Sequence, residues 1–313
     1  VFIDVSRAHP HCENTRHVVI ESPEEAGYTK DFVGVPVKCL CGQRDASQLF
    51  EMKLLEVLTG CGFAQGKFSP CLYYNARRQA RSWIHGDDIV TLCPRSAVTA
   101  LVEGIAKHLM IKVTALLGPR QACRGGTDDG SARIMNRLIR WQCGFNGESD
   151  AITWEADPRH VELLRDQLGF VEGSKSVVSP GVKEPQSMLD GPELELREHA
   201  LFKSVCMRAS FLAADRPDIT FCSKECARAM SAPTEGAMRS LKRLVRYLIG
   251  VPRLVWVWRQ QGPQSYLTAI NDSDHAGCKK TRKSTSCSAY MLGNHLLRLS
   301  STTQATLALS SGE

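Results

Sequence analysis

Three aspartates stand where the sequence predicts strands to end. Asp4 follows the apolar run Val1-Phe2-Ile3, and Asp87 and Asp88 follow the strand-like segment 81–84. Hard carboxylate oxygens can hold two divalent cations about 4 Å apart, a pair that activates a hydroxyl group for attack on a phosphate. Three aspartates suffice if their strands are neighbours in one sheet. An Asp-Asp pair in a turn also arises from turn formation alone, and the local pattern by itself favours that simpler interpretation.

The elements that must position these aspartates alternate between helices and strands. A capping-box-like start at Asp45-Ala46-Ser47-Gln48 and apolar residues at helical spacing predict a helix that ends at Gly60. Segments 71–74, 81–84 and 89–92 are typical of strands. The Gly-Asp turn between the last two predicts a β-hairpin with two carboxylates at or just after its tip. A second helix is predicted from Pro94 to Leu109.

The rest of the chain continues this mixture and predicts an α+β fold. Residues 118–130 are rich in glycine and aspartate and predict a surface insertion, and the Ser-, Pro- and Gly-rich residues 171–191 predict a linker. Periodicity predicts strands at 151–155, 254–258, 266–270 and 288–292, and helices at 157–169, 198–214 and 234–249.

Composition excludes several classes of protein. The 313 residues are 43% hydrophobic and 23% charged, which is enough apolar surface to fold, and no apolar run approaches the roughly 18 residues of a membrane span. Thirteen scattered cysteines without a C-x-x-C pair indicate reduced, intracellular thiols. Cys222 and Cys226 are better explained as small buried side chains than as metal ligands. The start at Val1 and the abrupt end at Glu313 suggest an internal fragment of a longer polypeptide.

Positive charge is concentrated in one part of the chain. Between Arg197 and Arg259 there are twelve Lys or Arg residues and five Asp or Glu residues. Such a stretch can follow a phosphate backbone, and it can equally be a solvated helix face, so charge alone leaves both interpretations open.

Several motifs, in a fixed order, resemble one family. D-V-S-R-A-H at 4–9 resembles D-V-K-x-A-F, L-C-G-Q-R-D-A at 40–46 resembles S-L-Y-G-L-K-Q-A, and H-G-D-D at 85–88 stands in the place of Y-V-D-D. A-A-D-R-P-D-I at 213–219 and L-K-R-L-V-R-Y-L-I-G at 241–250 are similar to T-R-P-D-I and K-R-I-L-R-Y-L-K-G. D-S-D-H-A-G-C at 272–278, R-K-S-T-S at 282–286 and A-L-S-S-G-E at 308–313 resemble S-D-A-D-W-A-G, R-K-S-T-S-G and A-L-S-S-T-E.

These motifs resemble the reverse transcriptase and RNase H region of the Pol polyprotein of copia-type LTR retrotransposons, especially the algal and dinoflagellate subgroup. The resemblance implies a polymerase palm-type sheet with packed helices at 1–118, with the fingers missing upstream. It implies a thumb-like segment and linker at 119–190 and a helical connection at 191–262. It also implies the start of an RNase H-like α/β domain, truncated, at 263–313.

The resemblance also implies roles for particular residues. Asp4, Asp87 and Asp88 would bind two Mg²⁺ ions, or Mn²⁺, and His9 would occupy the place of the aromatic residue that screens the sugar 2′ position. Gly42, Gln43 and Arg44 would lie beside the templating base and incoming nucleotide, although Arg44 can also be a surface charge at a helix start. Asp272 and Glu313 would be a remnant of the RNase H site, without activity alone, and Lys242, Arg243 and Arg246 would contact the nucleic-acid backbone.

The expected function is therefore RNA-directed DNA polymerisation, by two-metal nucleotidyl transfer to a primer 3′ end, in the parent polyprotein, the fragment alone being inactive. The implied partners are an RNA template, a DNA primer, the RNA/DNA hybrid and deoxynucleoside triphosphates, with no membrane. The implied location is intracellular, in a cytoplasmic particle or the nucleus. The alternative is a degenerate retrotransposon remnant that only binds nucleic acid. A metal-dependent nuclease is a third alternative, ranked below both.

Overall fold

The computed structural model describes residues 1–22, 24–27, 32–119, 129–144, 146–182, 191–278 and 281–311. The chain forms two compact units, Val1–Ile134 and Met135–Glu313. Both units mix helices with antiparallel sheets, in agreement with the predicted α+β class. The boundary lies within the segment 119–190, and the finer division into four parts stays a prediction. Most of the expected insertion at 118–130 and part of the expected linker at 171–191 lie outside the described residues.

A six-stranded antiparallel sheet forms the centre of the first unit. Its strands follow the order β4-β5-β6-β7-β1-β8, so β1 lies between β7 and β8 although it comes first in the chain. The predicted strands at 71–74, 81–84 and 89–92 are confirmed as β5, β6 and β7. The strands of this unit are β1 Phe2–Val5, β2 Ile20–Glu21, β3 Val33–Gly34, β4 Ala64–Gln65, β5 Leu72–Asn75, β6 Ala80–His85, β7 Asp88–Leu92, β8 Ile111–Ala115 and β9 Ser131–Ile134.

Helices α1 Ala46–Gly60 and α2 Val98–Ala106 share a core with this sheet. Phe50 and Leu58 of α1 lie in one buried cluster with Ile3 of β1 and Ile89 of β7. Burial of each such side chain contributes roughly 1.5–3 kcal/mol. Because side chains alternate along a strand, the neighbours of Ile3 and Ile89 must project to the opposite face of the sheet.

Two details of the predicted helices are wrong. The Asp45 side chain does not cap α1, because its carboxylate forms a 2.8 Å ion pair with Arg16. α2 ends before Leu109, because Met110 is already held beside β1. The backbone of Met110 accepts a hydrogen bond from the Ser6 N–H and donates one to His11 Nε2. These hydrogen bonds fix the chain in position to begin β8, a strand that the sequence pattern did not predict.

The second unit begins with antiparallel strands in which β11 lies between β10 and β12. The strands are β10 Arg137–Gln142, β11 Ala151–Ala156 and β12 Trp256–Arg259. The expected strands at 151–155 and 254–258 are confirmed. β10 was missed because its apolar residues are interrupted by arginines.

Four helices of the second unit enclose its main core. They are α3 Arg159–Gln167, α4 Leu196–Ala213, α5 Thr220–Arg228 and α6 Glu235–Gly250. The three predicted helices are confirmed as α3, α4 and α6, and the Thr234 hydroxyl caps α6 by accepting the Ala237 N–H at 3.2 Å. Leu164, Phe202 and Leu241 are fully buried in the core that these helices form.

The last three strands form a separate antiparallel sheet, β13 Thr268–Ser273, β14 Thr285–Leu292 and β15 His295–Thr303. β13 and β14 confirm the expected strands, and β15 was not predicted. A tight turn joins β14 to β15, with Gly293 at a φ of +56°. Among the described residues, no helix combines the length and the apolar character needed to cross a membrane.

Most cysteines of the described residues are free thiols, and Cys206 and Cys226 are fully buried. Burial raises the pKa of Cys206 and Cys222 to about 11, so these thiols are inert apolar groups. The expectation of reduced thiols is wrong at Cys143, whose sulfur is joined to another in a disulfide.

Candidate active site

Asp4 of β1 and Asp88 of β7 face each other across two neighbouring antiparallel strands. They are register partners, and the Val5 N–H donates a 2.9 Å hydrogen bond to the Asp87 carbonyl oxygen at the next position. Directly opposed Cβ atoms in such a pair lie about 4.5–5.5 Å apart. The two strands are neighbours, so the condition under which the aspartates could converge is met. Turn formation alone does not explain why an aspartate stands opposite Asp88.

The turn between β6 and β7 places Asp87 at the tip of the hairpin. His85 and Asp88 are register partners, so Gly86 and Asp87 are the two central residues of the turn. Gly86 has a φ of +61° and Asp87 has a negative φ, which is the pattern of a type II′ turn. Gly86 thus supplies the positive φ that the turn requires. The turn does not depend on the Asp87 side chain, which is available for another role.

The two opposed aspartates project from the face of the sheet away from the core. Ile3 and Ile89, their chain neighbours, are 3% and 0% exposed in the core formed with α1 and α2. Asp4 and Asp88 are half-buried on the other face. This arrangement anchors the strands by their apolar residues and leaves the carboxylates accessible.

The carboxylates repel one another. Burial raises the pKa of Asp88, the negative charges of Asp87 and Asp4 raise it further, and His85 opposes them. Carboxylate oxygens are the donors that Mg²⁺ prefers, and a divalent cation would relieve this repulsion, so the residues fit such an ion chemically. Among the described residues, however, no group of three or more His, Cys, Asp or Glu side chains is already arranged to hold a metal.

A lysine extends the row of opposed side chains. Lys112 of β8 is the register partner of Asp4, so His85, Asp88, Asp4 and Lys112 form one row across four strands. Lys112 is exposed. Sequence reasoning missed this residue because its position follows only from the pairing of β1 with β8, which no local pattern reveals.

The residues expected near the nucleotide lie in two turns that the structure brings together. His9 begins a short 3-10 helix after β1, and Gly42 adopts a φ of +94° in the turn before α1. The two segments are joined where the Cys39 N–H donates to the Cys12 carbonyl at 3.0 Å. A contact of these turns with nucleotide stays a prediction.

Within the second turn, Gln43 and Arg44 differ in environment. The Gln43 side-chain oxygen accepts the Leu40 N–H at 3.0 Å, which stabilises the turn, while its Nε2 is buried without a partner among the described residues. The Arg44 side chain is exposed. Gln43 is therefore in part a structural residue.

The basic face of α6 is partly occupied. Arg243 donates to the Gly181 carbonyl at 3.2 Å and Arg246 donates to the Lys175 carbonyl at 2.7 Å. Lys242 is exposed. Arg243 and Arg246, two of the three residues expected to contact the nucleic-acid backbone, therefore bind carbonyl groups of the protein segment that precedes α4. The third, Lys242, is the one exposed to solvent.

The motif at 215–218 is a structural junction. Arg216 donates to Asp218 through Nε and through a terminal nitrogen, at 2.9 and 2.7 Å, and the same terminal nitrogen donates to the Val251 carbonyl. The Asp215 carboxylate accepts the Trp154 indole N–H at 3.0 Å and the Arg137 Nε–H at 2.9 Å. The motif therefore ties the corner between α4 and α5 to α6 and to the β10–β12 sheet.

The expected RNase H remnant is exposed on β13. Asp272 is the register partner of Cys287 on β14, and its Oδ1 accepts the Ser273 N–H at 2.9 Å. Asp274 has a structural role, because its carboxylate accepts the Thr285 N–H at 2.7 Å. Glu313 lies outside the described residues, so the structure does not place it.

Comparisons with known proteins give relatives for part of the chain. It is 31% identical over 141 residues to the "Retrovirus-related Pol polyprotein from transposon RE1" of Arabidopsis thaliana, a match that covers 45% of this chain and 9% of the relative. It is 29% identical over 140 residues to the corresponding polyprotein from transposon RE2, covering 45% of this chain and 10% of the relative. An uncharacterized mitochondrial protein of the same plant is 31% identical over 112 residues, covering 36% and 46% of the two chains.

No protein-family model matches the chain, and no solved structure matches it significantly. The chain spans about a tenth of the length of the two polyproteins. It is thus similar, at modest identity and over less than half of its own length, to retrovirus-related Pol polyproteins of plant transposons.

Proposed function

We propose that this chain carries part of the catalytic core of an RNA-directed DNA polymerase of a retrotransposon. The observation that supports this most strongly is the placement of Asp4 opposite Asp88, with Asp87 at the adjoining turn. Asp4 and Asp88 lie 84 positions apart in the chain. Three carboxylates gathered on the open face of an antiparallel sheet, with helices packed on its other face, suit two-metal nucleotidyl transfer.

Each of the three aspartates would have its own role in metal binding. Asp4 and Asp88 would hold cations from adjacent strands, and Asp87 would reach them from the turn. Two bound Mg²⁺ ions, or Mn²⁺ in their place, would activate the primer 3′ hydroxyl and neutralise the triphosphate of the incoming nucleotide. The buried partners Ile3 and Ile89 keep the two strands in register, so the carboxylates stay at a fixed separation.

The relatives support the same proposal. The similar proteins are named as retrovirus-related Pol polyproteins of transposons, and the motifs at 4–9 and 85–88 that resemble reverse transcriptases are those that carry the three aspartates. The partners proposed on this basis are an RNA template, a DNA primer and deoxynucleoside triphosphates. Lys242 on the exposed side of α6 would contribute a phosphate contact.

Primer extension on an RNA template in Mg²⁺ tests the proposal. The 313-residue chain, and the same chain lengthened at both ends with its native flanking sequence, should be compared with the Asp87→Asn, Asp88→Asn double variant. Extension by an unsubstituted protein and its loss in the double variant support the proposal. A control that removes two exposed acids elsewhere in the first unit, Glu51→Gln with Glu103→Gln, should leave extension unchanged.

The result also separates the proposal from its alternative. If the lengthened protein binds primer-template in a salt-dependent manner but does not extend the primer in Mg²⁺ or Mn²⁺, the chain is a non-catalytic remnant that binds nucleic acid. That outcome would overturn the polymerase proposal.

A further inference from the structure

Beside the carboxylates, the open face of β5–β7 carries a series of aromatic, basic and apolar side chains, of which Trp83 is half-buried and the others are exposed. Alternation buries Tyr73 and Ile84 in the core and turns their chain neighbours outward. We call the outward set the open strip. It consists of Leu72 and Tyr74 on β5, Arg81, Trp83 and His85 on β6, and Leu92 on β7.

Strand register orders the open strip into rows that lead away from the candidate site. Tyr74, Arg81 and Leu92 form one row, Leu72 and Trp83 lie in the next, and His85 stands beside Asp88 in the last. Tyr74 is 44% exposed and Leu72 is 48% exposed. An apolar and aromatic surface therefore begins at the carboxylates and continues along the two strands.

The flat groups of the open strip are already stacked in pairs. The Trp83 and His85 rings lie 5.6 Å apart with 13° between their planes. The Arg81 guanidinium lies 5.1 Å from the centre of the Tyr74 ring. Such pairs hold the groups in fixed orientations, so little side-chain entropy remains to be lost when another flat group packs on them.

The charge of the open strip favours an anionic partner. No acidic side chain within the described residues forms an ion pair with Arg81. Arg77 and Arg78, in the turn that joins β5 to β6, lie near its far end and line a cavity together with Gln79 and Ser96, without an acidic residue. At its other end the open strip meets the candidate site, where His85 is the register partner of Asp88.

We propose that the open strip binds an unpaired stretch of nucleic acid, whose bases stack on Trp83 and Tyr74 and whose phosphates contact Arg81. A duplex would offer only its phosphates, because its bases are stacked on one another, so the aromatic groups favour a single strand. The proposal deepens the proposed function and rests on it in one respect: the strand would run toward the carboxylates because the open strip ends there.

Binding of short fluorescein-labelled strands to the 313-residue chain tests this. One probe is an oligothymidylate, and the second is an abasic strand of equal length, which has the phosphates without the bases. Trp83→Ala should weaken oligothymidylate binding about five- to 150-fold, the range of one lost stacking contact, and leave the abasic strand unaffected. Arg81→Met should weaken binding of both probes. It should also reduce the magnitude of the slope of log affinity against log salt concentration by about one.

Matched variants keep the test decisive. Trp83→Phe keeps a ring and should bind nearly as the parent does, and Tyr74→Ala gives a second stacking variant at an exposed position if Trp83→Ala does not fold. Lys67→Met removes an exposed charge elsewhere in the first unit and should affect both probes less than Arg81→Met does.

Equal weakening of the two probes by Trp83→Ala and Tyr74→Ala, or no weakening at all, would overturn the inference. So would tighter binding of a blunt duplex than of the single strand. Failure of the polymerase proposal is distinguishable, since single-strand binding can be intact in a protein that extends no primer.

Discussion

Arg216 and Asp218 form a nearly buried ion pair at the corner between α4 and α5. The Arg216 side chain is 2% exposed and donates hydrogen bonds of 2.9 and 2.7 Å to the two carboxylate oxygens. Tyr247 of α6 donates a third, at 2.9 Å. One carboxylate thus joins two helical segments that are separated by 29 positions in the chain.

Asp218→Asn should lower the free energy of unfolding by about 3 kcal/mol, the lower end for breaking a buried pair. The amide has nearly the same shape but no charge, so the Arg216 guanidinium is left buried without a counter-ion. Urea denaturation followed by circular dichroism measures the loss. Asp166→Asn, in an exposed pair with Arg165, is the matched control and should cost less than about 1 kcal/mol.

The same pair predicts a dependence of stability on pH. Burial opposes ionisation of Asp218, but the hydrogen bonds and charge of Arg216 and the hydrogen bond from Tyr247 outweigh it, so the pKa of Asp218 lies below its ordinary value. A carboxyl group whose pKa is lowered by folding stabilises the folded state at pH values above its unfolded pKa of about 3.9. This stabilisation is lost as the pH falls through the folded pKa. The difference in unfolding free energy between the parent and Asp218→Asn should therefore shrink between pH 5 and about pH 2. A constant difference over that range would contradict the assignment.

Local pattern was sufficient for much of the first unit. Alternation on both sides of Gly86 predicted the hairpin of β6 and β7, because a tight turn and its strands are contiguous in the chain. The strand that pairs with this hairpin in the sheet, β1, lies far from it in the chain. The inference that Asp4 lies beside Asp88 was a hypothesis that depended on sheet order, and the structure confirms it.

Other features were beyond sequence reasoning for the same physical reason. Lys112 enters the row beside Asp4 only through the pairing of β8 with β1. Arg243 and Arg246 resemble a solvent-facing basic stripe in sequence, yet carbonyl groups more than 60 positions earlier accept their hydrogen bonds. Periodicity predicts which face of a helix is polar, but it does not predict which distant backbone will cover that face.

The crowded carboxylates predict a gain in stability when one is removed. A raised pKa of an acid means that its ionised form is less favourable in the folded state, so Asp88→Asn should raise the melting temperature at neutral pH in EDTA. Addition of Mg²⁺ should raise the melting temperature of the parent and have a smaller effect on the variant. Equal Mg²⁺ effects on the two proteins would argue against cation binding by Asp88, whatever the enzymatic activity.

Cys278 should be the most reactive thiol of the described residues near neutral pH. Burial opposes its ionisation, but hydrogen bonds from Thr281 and from Arg228, whose terminal nitrogen lies 3.0 Å from the sulfur, lower its pKa to about 7. Since only the thiolate reacts, alkylation of Cys278 by iodoacetamide should rise with a midpoint near pH 7, while Cys206, with a pKa of about 11, stays unmodified. Mass spectrometry of the alkylated peptides measures both.

Arg228→Met is the matched variant for that thiol. It removes the hydrogen bond and the positive charge, so the alkylation midpoint of Cys278 should move up toward the ordinary range of about 8–9. Glu225 forms a 2.9 Å ion pair with Arg228 on the same helix. Because Glu225→Gln leaves the arginine in place and removes the negative charge that competes for it, it should keep the midpoint low. An unchanged midpoint in Arg228→Met would show that the contact with Arg228 does not control the ionisation of Cys278.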